Sequence, residues 1–222
     1  MVVSLFSAAS ARSLLSLRGG TIALESEDQK SLYSLGCNVG RQIGDLDCFS
    51  HEEIDIILFG MRDTLTRVEP RVNLMEYMPK VAALFKARQD AHIKKVEEAS
   101  KEALEAAAKE DGAVVTASGL VIKTLQEGEG DSPTIDSTVR VHYTGRLSDG
   151  TVFDSSIPRG EPTEFPLSGV VKGWQEGIAL MKPGGKAKLT LPAELGYGDE
   201  GQSTIPPKAT LIFEVELLAI VN

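Results

Sequence analysis

The chain has 222 residues, enough for one large or two small domains. With 42% hydrophobic and 25% charged residues it has the balance of a soluble globular protein. A formal net charge of −9 argues against nucleic acid as a partner, because that role needs a basic face to neutralise phosphates. Both parts of the chain are acidic: residues 25–113 hold 12 basic and 18 acidic groups, and residues 114–222 hold 9 and 14. Cys37 and Cys48 are the two cysteines, eleven positions apart, which predicts free thiols rather than a disulfide framework.

Residues 1–25 form a leader. The run MVVSLFSAASARSLLSLRGGTIAL is rich in Ser, Ala and Leu, carries Arg12 and Arg18, and has no acid before Glu25. This is the pattern of an organellar transit peptide or a weak export signal. The alternative is an unstructured leader without an address, which leaves the chain in the cytoplasm. Ser and Arg interrupt the apolar runs, so no stretch is expected to span a bilayer.

Residues 26–78 read as a helical domain. Leu32, Leu35, Val39 and Ile43 fall on one helix stripe. Gly36, Gly40 and Gly44 recur every four residues. Glycine inside a helix costs up to about 1 kcal/mol relative to alanine, so three of them predict close contact with another helix. A short, frayed helix is the alternative. Ser50 and Glu53 form a capping box that predicts a second helix, with Ile54, Ile57, Leu58, Met61 and Leu65 as its apolar stripe. A third helical stretch follows Asn73, and Pro79 predicts that it begins or kinks there. Residues 79–113 read as one long connecting helix, about 48 Å in length, stopped by Gly112. From Arg88 onward it is mostly charged, too polar to be buried all round.

Residues 114–222 change to period two, with turns. VTASGLVIKTLQEG, TVRVHYTGRLSDGTVFDSS, GKAKLTLPAELGYG and ATLIFEVELLAIV read as strands. GWQEGIALM reads as a short helix ended by Lys182-Pro183-Gly184-Gly185. The whole is α+β: an antiparallel sheet with one short helix, preceded by an all-α domain. Tyr143, Phe153, Trp174, Tyr197 and Phe213 are widely spaced through this region, around stretches with almost no reactive side chain. They are read as the lining of an apolar pocket, although aromatics in a β-rich domain also serve as plain core. His51, His92 and His142 have no ligand spacing, and Lys182-Pro183-Gly184-Gly185-Lys186 lacks P-loop order. No metal and no cofactor is expected.

The runs VHYTGRLSDGTVFDSS, VVKGWQEGIALMKPGGKAKLTLP, ELGYG and IPPKATLIFEVELL, from Thr134 to Ala219, closely resemble the FKBP-type peptidyl-prolyl cis-trans isomerases. LYSLGCNVGRQI, the long helix and SGLVIKTLQEGEG are similar to the helical dimerisation domain of the Mip and FklB-like branch. The resemblance implies a sheet wrapped on a short helix, with the pocket between them. It implies Trp174 as the pocket floor, Tyr143, Phe153, Val170, Val171 and Phe213 as walls, and Tyr197 and Ile205 at the rim. Asp154 is the one acidic pocket residue, and Arg159 belongs near Tyr143 and Asp154. The implied partners are proline-containing polypeptide clients, a second copy of the chain bound through the N-terminal helices, and a macrolide of the FK506 or rapamycin type. The chain departs from the family at Thr163, where an aromatic is common, between Leu167 and Val170, where it is short, and in the slim rim loop GDEGQSTIPP. Those departures bear on macrolide affinity and substrate preference. The implied activity is rotation about X–Pro bonds, which needs no acid, base or nucleophile. A binding scaffold with little turnover, or a carrier of apolar small molecules, is the competing expectation.

Overall fold

A computed structural model describes residues 23–43 and 46–221. Most of the leader, and Gly44 of the glycine series, lie outside the described residues. The chain divides into two compact units, one ending at Arg88 and one beginning at Gln89.

The first unit is helical. α1 (Glu27–Ile43) opens with Glu27 and Asp28 and closes with Arg41, charges that complement its dipole. Leu32, Leu35, Val39 and Ile43 are all exposed on it. An added Cβ at Gly36 or Gly40 would meet nothing within 4 Å. α2 (His51–Leu65) begins with the expected capping box: Glu53 N donates to Ser50 Oγ at 3.3 Å, and Ser50 N donates to Glu53 Oε2 at 3.1 Å. Phe49 meets Phe85 edge to face at 5.4 Å, and Arg88 pairs with Glu53 at 2.6 Å.

α3 runs as a single helix from Leu74 to Ala108, with Pro79 inside it. Asn73 fixes its start by accepting from Met75 N at 3.1 Å through its side chain and from Glu76 N at 3.1 Å through its carbonyl. Pro79 sits five residues past that start, so its missing N–H leaves only the Met75 carbonyl without an intrahelical donor. The helix ends in tight turns through Lys109 and Glu110, and Gly112 turns the chain out with φ of 74°.

The second unit is a seven-stranded antiparallel sheet with α4 (Lys172–Ala179) on one face. The strands are β1 (Ala113–Val115), β2 (Val121–Gln126), β3 (Thr138–Arg146), β4 (Val152–Ser155), β5 (Thr163–Pro166), β6 (Lys186–Leu191) and β7 (Leu211–Val221). Their order is β1-β2-β6-β7-β3-β4, with β5 also paired to β3. Alternation decides the buried face: Val139, Val141 and Tyr143 on β3, Leu211, Phe213, Val215 and Leu217 on β7, and Ala187, Leu189 and Leu191 on β6 are buried. Register puts Tyr143 opposite Val215 and Gly145 opposite Phe213. α4 turns Gly173, Trp174, Gly177 and Ile178 inward. A Cβ at Gly173 would overlap Leu191, and one at Gly177 would meet Leu189 at 2.8 Å, so these glycines let the helix lie close on β6. The architecture is the expected α+β one.

Two strands share the outer edge of β3. β5 pairs with Thr138–Val141 and β4 with Thr144–Arg146. Ser156, fully buried, fills the gap between them. Its N–H donates to the Tyr143 carbonyl at 3.0 Å, and its hydroxyl accepts from Tyr143 N at 2.9 Å. The backbone of Tyr143 is thereby satisfied at the point where both flanking strands stop.

Candidate active site

A cavity of about 360 Å³ opens between the sheet and the start of α4. β3 contributes Tyr143, β4 Phe153 and Asp154, β5 Phe165, and β7 Phe213. Trp174 enters from α4, and Gly169, Val170 and Val171 from the segment before it. Tyr197 and Gln202 come from the loop between β6 and β7.

Trp174 is the centre of the ring cluster. Tyr143, Phe165 and Phe213 approach it edge to face with centroids at 5.1, 5.6 and 5.1 Å. Phe153 stands perpendicular to Phe213 at 5.5 Å. Gly145 makes room for that pair, since a Cβ there would sit 2.6 Å from Phe153 and 2.8 Å from Phe213. Edge-to-face pairs contribute roughly 0.5–1.5 kcal/mol each beyond burial, so the walls hold their shape without a ligand. The indole N–H of Trp174 is buried and has no partner among the described residues. Gln175 donates to the Val170 carbonyl at 2.8 Å, which pins the segment carrying Val170 and Val171.

One charged side chain, Asp154, lines the cavity. Tyr143 Oη donates to Asp154 Oδ2 at 2.5 Å. Arg159 Nη1 donates to Asp154 Oδ1 at 3.0 Å, and its Nη2 to Tyr143 Oη at 3.2 Å. Burial acts to raise the Asp154 carboxyl, but hydrogen bonds from Tyr143 and Arg159 outweigh it and hold the group below the usual carboxylate range. Burial and the bond to Asp154 push the Tyr143 hydroxyl up. Asp154 therefore stays ionised and Tyr143 stays protonated at neutral pH, and neither is poised to move a proton.

A depressed carboxylate contributes above its unfolded pKa and loses that contribution as pH falls through the folded value. The rate is therefore expected to be flat in this group from pH 8 to about 5 and to fall only below about 4. Asp154→Asn is expected to lose that acid limb while circular dichroism confirms the fold. An acid limb unchanged in the variant would assign it elsewhere.

Of the ten residues singled out from the sequence, Tyr143, Phe153, Asp154, Val170, Val171, Trp174, Tyr197 and Phe213 line this one cavity. Arg159 stands behind the lining and reaches it through Tyr143 and Asp154. Ile205 is 8% exposed and packs in the core, while its loop presents Tyr197 and Gln202 to the cavity. Sequence reasoning missed Phe165, Gly169 and Gln202. Phe165 carried a signal: it lies two residues past Thr163, so in a strand the two share a face. Thr163 instead accepts a 3.4 Å bond from Arg159. Gly169 and Gln202 carried none, because neither residue type marks an apolar wall. Among the described residues no cluster of three or more His, Cys, Asp or Glu could hold a metal. No helix of the described residues is long and apolar enough to cross a membrane.

Comparison with known proteins identifies the family. Residues 130–218 match the family described as FKBP-type peptidyl-prolyl cis-trans isomerase. Residues 28–123 match the domain amino terminal to FKBP-type peptidyl-prolyl isomerase. The chain is 40% identical over 207 residues to the FKBP-type peptidyl-prolyl cis-trans isomerase FkpA of Aeromonas hydrophila, covering 88% of this chain and 77% of that protein. It is 39% identical over 207 residues to the FKBP-type 22 kDa peptidyl-prolyl cis-trans isomerase of Escherichia coli K12, covering 90% and 98%. The crystal structure of FkpA from Escherichia coli superposes with a TM-score of 0.62 at 36% identity, covering 89% of this chain and 98% of that one. The chain belongs to the FKBP-type peptidyl-prolyl cis-trans isomerases, with the amino-terminal helical domain that accompanies some of them.

Proposed function

We propose that the ring-lined cavity takes X–Pro segments of unfolded or flexible polypeptides and speeds their cis–trans exchange by preferring the twisted amide. The observation that carries this is the set of rings gathered around Trp174, beside a cavity whose one carboxylate is already engaged on both oxygens.

Resonance opposes rotation of a peptide bond with a barrier of about 18–20 kcal/mol. The two X–Pro isomers differ by only about 0.5–1 kcal/mol, yet exchange takes roughly tens to hundreds of seconds. In the twisted state resonance is lost, and the carbonyl is less dipolar than in the planar amide. A water-poor aromatic wall disfavours the planar dipole more than the twisted form. Differential binding of this kind lowers the barrier without a reagent. Tyr143, Phe153, Trp174 and Phe213 grip the proline ring, with Val170 and Val171 beside it. Among the described residues the Tyr197 hydroxyl makes no hydrogen bond, which leaves it able to hold the substrate carbonyl. Asp154 acts as a fixed charge held by Tyr143 and Arg159. The same cavity accepts a macrolide of the FK506 or rapamycin type in competition with substrate, more loosely for want of an aromatic at Thr163.

A protease-coupled proline-peptide assay tests the reading. The intact chain should turn over well above buffer, and Phe153→Ala should fall towards it. Equal, background rates for both would favour a binding scaffold.

The helical unit supports a second function, dimerisation. α1 and α2 contain no buried residue, and Leu32, Leu35 and Val39 of α1 are 68%, 58% and 42% exposed. An isolated amphipathic helix of this length is marginal in water, so its apolar stripe calls for a partner. A second copy meeting it at Gly36 and Gly40 would cover that stripe. Two cavities in one dimer would hold an unfolded client by avidity, giving chaperone-like assistance. Light scattering at micromolar concentration should give twice the chain mass, and a monomer mass would remove this part.

A further inference from the structure

The loop between β6 and β7 brings Tyr197 and Gln202 to the cavity, and the back of that loop is tied to the last turns of α3. Ser100 of α3 and Thr210 at the loop's end are both buried, at 5% and 1% exposure. Thr210 N donates to Ser100 Oγ at 2.8 Å, and Thr210 Oγ1 donates to the Ser100 carbonyl at 3.3 Å. One turn earlier in α3, Glu97 accepts from Lys208 Nζ at 3.2 Å. Lys208 is also the residue that closes the loop on itself, donating from its backbone N to the Gly198 carbonyl at 3.0 Å.

Ile205 and Ala209 anchor one side of the loop in the core, and two features show that polar bonds fix its back against α3. A cleft of about 290 Å³ remains between helix and loop, lined by Leu104, Pro192, Glu194 and Asp199 along with the tethered residues. Helix and loop therefore meet at polar points around an opening. Lys208 has φ of 62°, a left-handed conformation that costs a non-glycine residue energy and persists only where its surroundings fix it. Both its N–H and its ammonium are engaged. The Lys208–Glu97 pair is exposed and contributes little by itself. The buried Ser100–Thr210 pair contributes more, because losing one partner leaves a buried donor unsatisfied.

We infer that Ser100, assisted by Glu97, is a positioning residue for the reaction: α3 sets where the Tyr197 loop stands over the cavity. This rests on reading the cavity as the site of catalysis. It also makes the last turns of α3 part of the catalytic unit, so the enzyme's working boundary lies inside the helix and not after it.

The test is Ser100→Ala in the full chain. The proline-peptide kcat/KM is expected to fall roughly 3- to 10-fold. Amide hydrogen exchange should quicken at Gly198, Gly201 and Ile205 while Leu189 and Val215 in the sheet keep wild-type protection. Ser100→Thr retains the hydroxyl, with the cleft to receive its methyl, and should recover most of the rate. Faster exchange spread evenly through β6 and β7 would mean a merely structural role and overturn the inference. So would a rate within twofold of wild type with unchanged loop exchange. If Ser100→Ala fails to fold, Thr210→Val removes only the hydroxyl bond to the Ser100 carbonyl and reads the same buried tether. Faster exchange confined to residues 198–208 supports the inference, and unchanged exchange with unchanged kcat/KM overturns it. An active wild type with an inert Ser100→Ala effect removes this inference alone, whereas a wild type no faster than buffer removes the site reading and this inference with it.

Discussion

Replacing Phe153 with alanine is expected to lower kcat/KM for a proline peptide by about 10- to 100-fold, a loss of roughly 1.4–2.7 kcal/mol of transition-state stabilisation. The ring has two faces to lose. One packs edge-on against Phe213 at 5.5 Å, and another borders the cavity. Truncation admits water where the twisted amide should meet only carbon. It also frees Phe213, which itself leans on Trp174 at 5.1 Å. The fold should survive, because Phe153 is only partly buried and sits outside the set of fully buried core residues. The melting temperature should drop a few degrees, in keeping with one lost aromatic pair of about 0.5–1.5 kcal/mol. A folded Phe153→Ala protein within twofold of the wild-type rate would show that the ring walls do not act on the amide.

That expectation follows from a site without a reagent. The usual marks of catalysis are titratable groups pushed towards neutrality. Here they are pushed the other way: Asp154 is held below its ordinary range and Tyr143 above its own. Arg159 completes the arrangement by donating to both. The trio fixes the angle of the Tyr143 ring against Trp174 and keeps a charge at the edge of an apolar space. Proton transfer is not among the things it is built to do, which suits a reaction that breaks no σ bond.

Much of this was legible in the sequence, and the reason differs by element. Alternation in TVRVHYTGR and LIFEVELLAIV marks both runs as strands with one face turned to the core. The Ser50–Glu53 pair marked the start of α2 because a capping box is a local device that needs no tertiary partner. Gather the rings from five separate segments, however, and local pattern stops helping: that Tyr143, Phe153, Trp174, Tyr197 and Phe213 enclose one cavity came from the family resemblance. Phe165 gave a weak signal because its neighbour on the same strand face, Thr163, is polar and the strand is only four residues long. Alternation does not place Ile205 either. In a loop, period two gives no facing rule, and the tight turn in which Gln202 and Ile205 exchange backbone bonds at 2.9 Å leaves Ile205 in the core. The Ser100–Thr210 tether was invisible, since a serine in a charged helix gives no sign of being buried 110 residues away from its partner.

Gly173→Ala is expected to be strongly damaging for a single added methyl, costing about 2–3 kcal/mol and roughly 5–10 °C in melting temperature. Two effects oppose each other. Alanine is the better helix former by up to about 1 kcal/mol, which favours the variant. Against it, the new methyl would overlap Cγ and Cδ2 of Leu191 and lie 3.3 Å from the Leu195 carbonyl. Leu191 is fully buried in the core and has nowhere to swing. α4 must therefore lift off β6, and overpacking of a dense core typically costs more than the propensity gained. Trp174 is the next residue, so the shift carries the indole away from Tyr143, Phe165 and Phe213 together. Activity should fall with stability, and the emission of the single tryptophan should move as its surroundings loosen. Gly60→Ala in α2 is the control, because its added methyl would meet nothing within 4 Å. It should shift the helical unit the opposite way, by about 0.5–1 kcal/mol towards stability. If Gly173→Ala proved neutral or stabilising like the control, the close seating of α4 on β6 would not be what holds Trp174 in place.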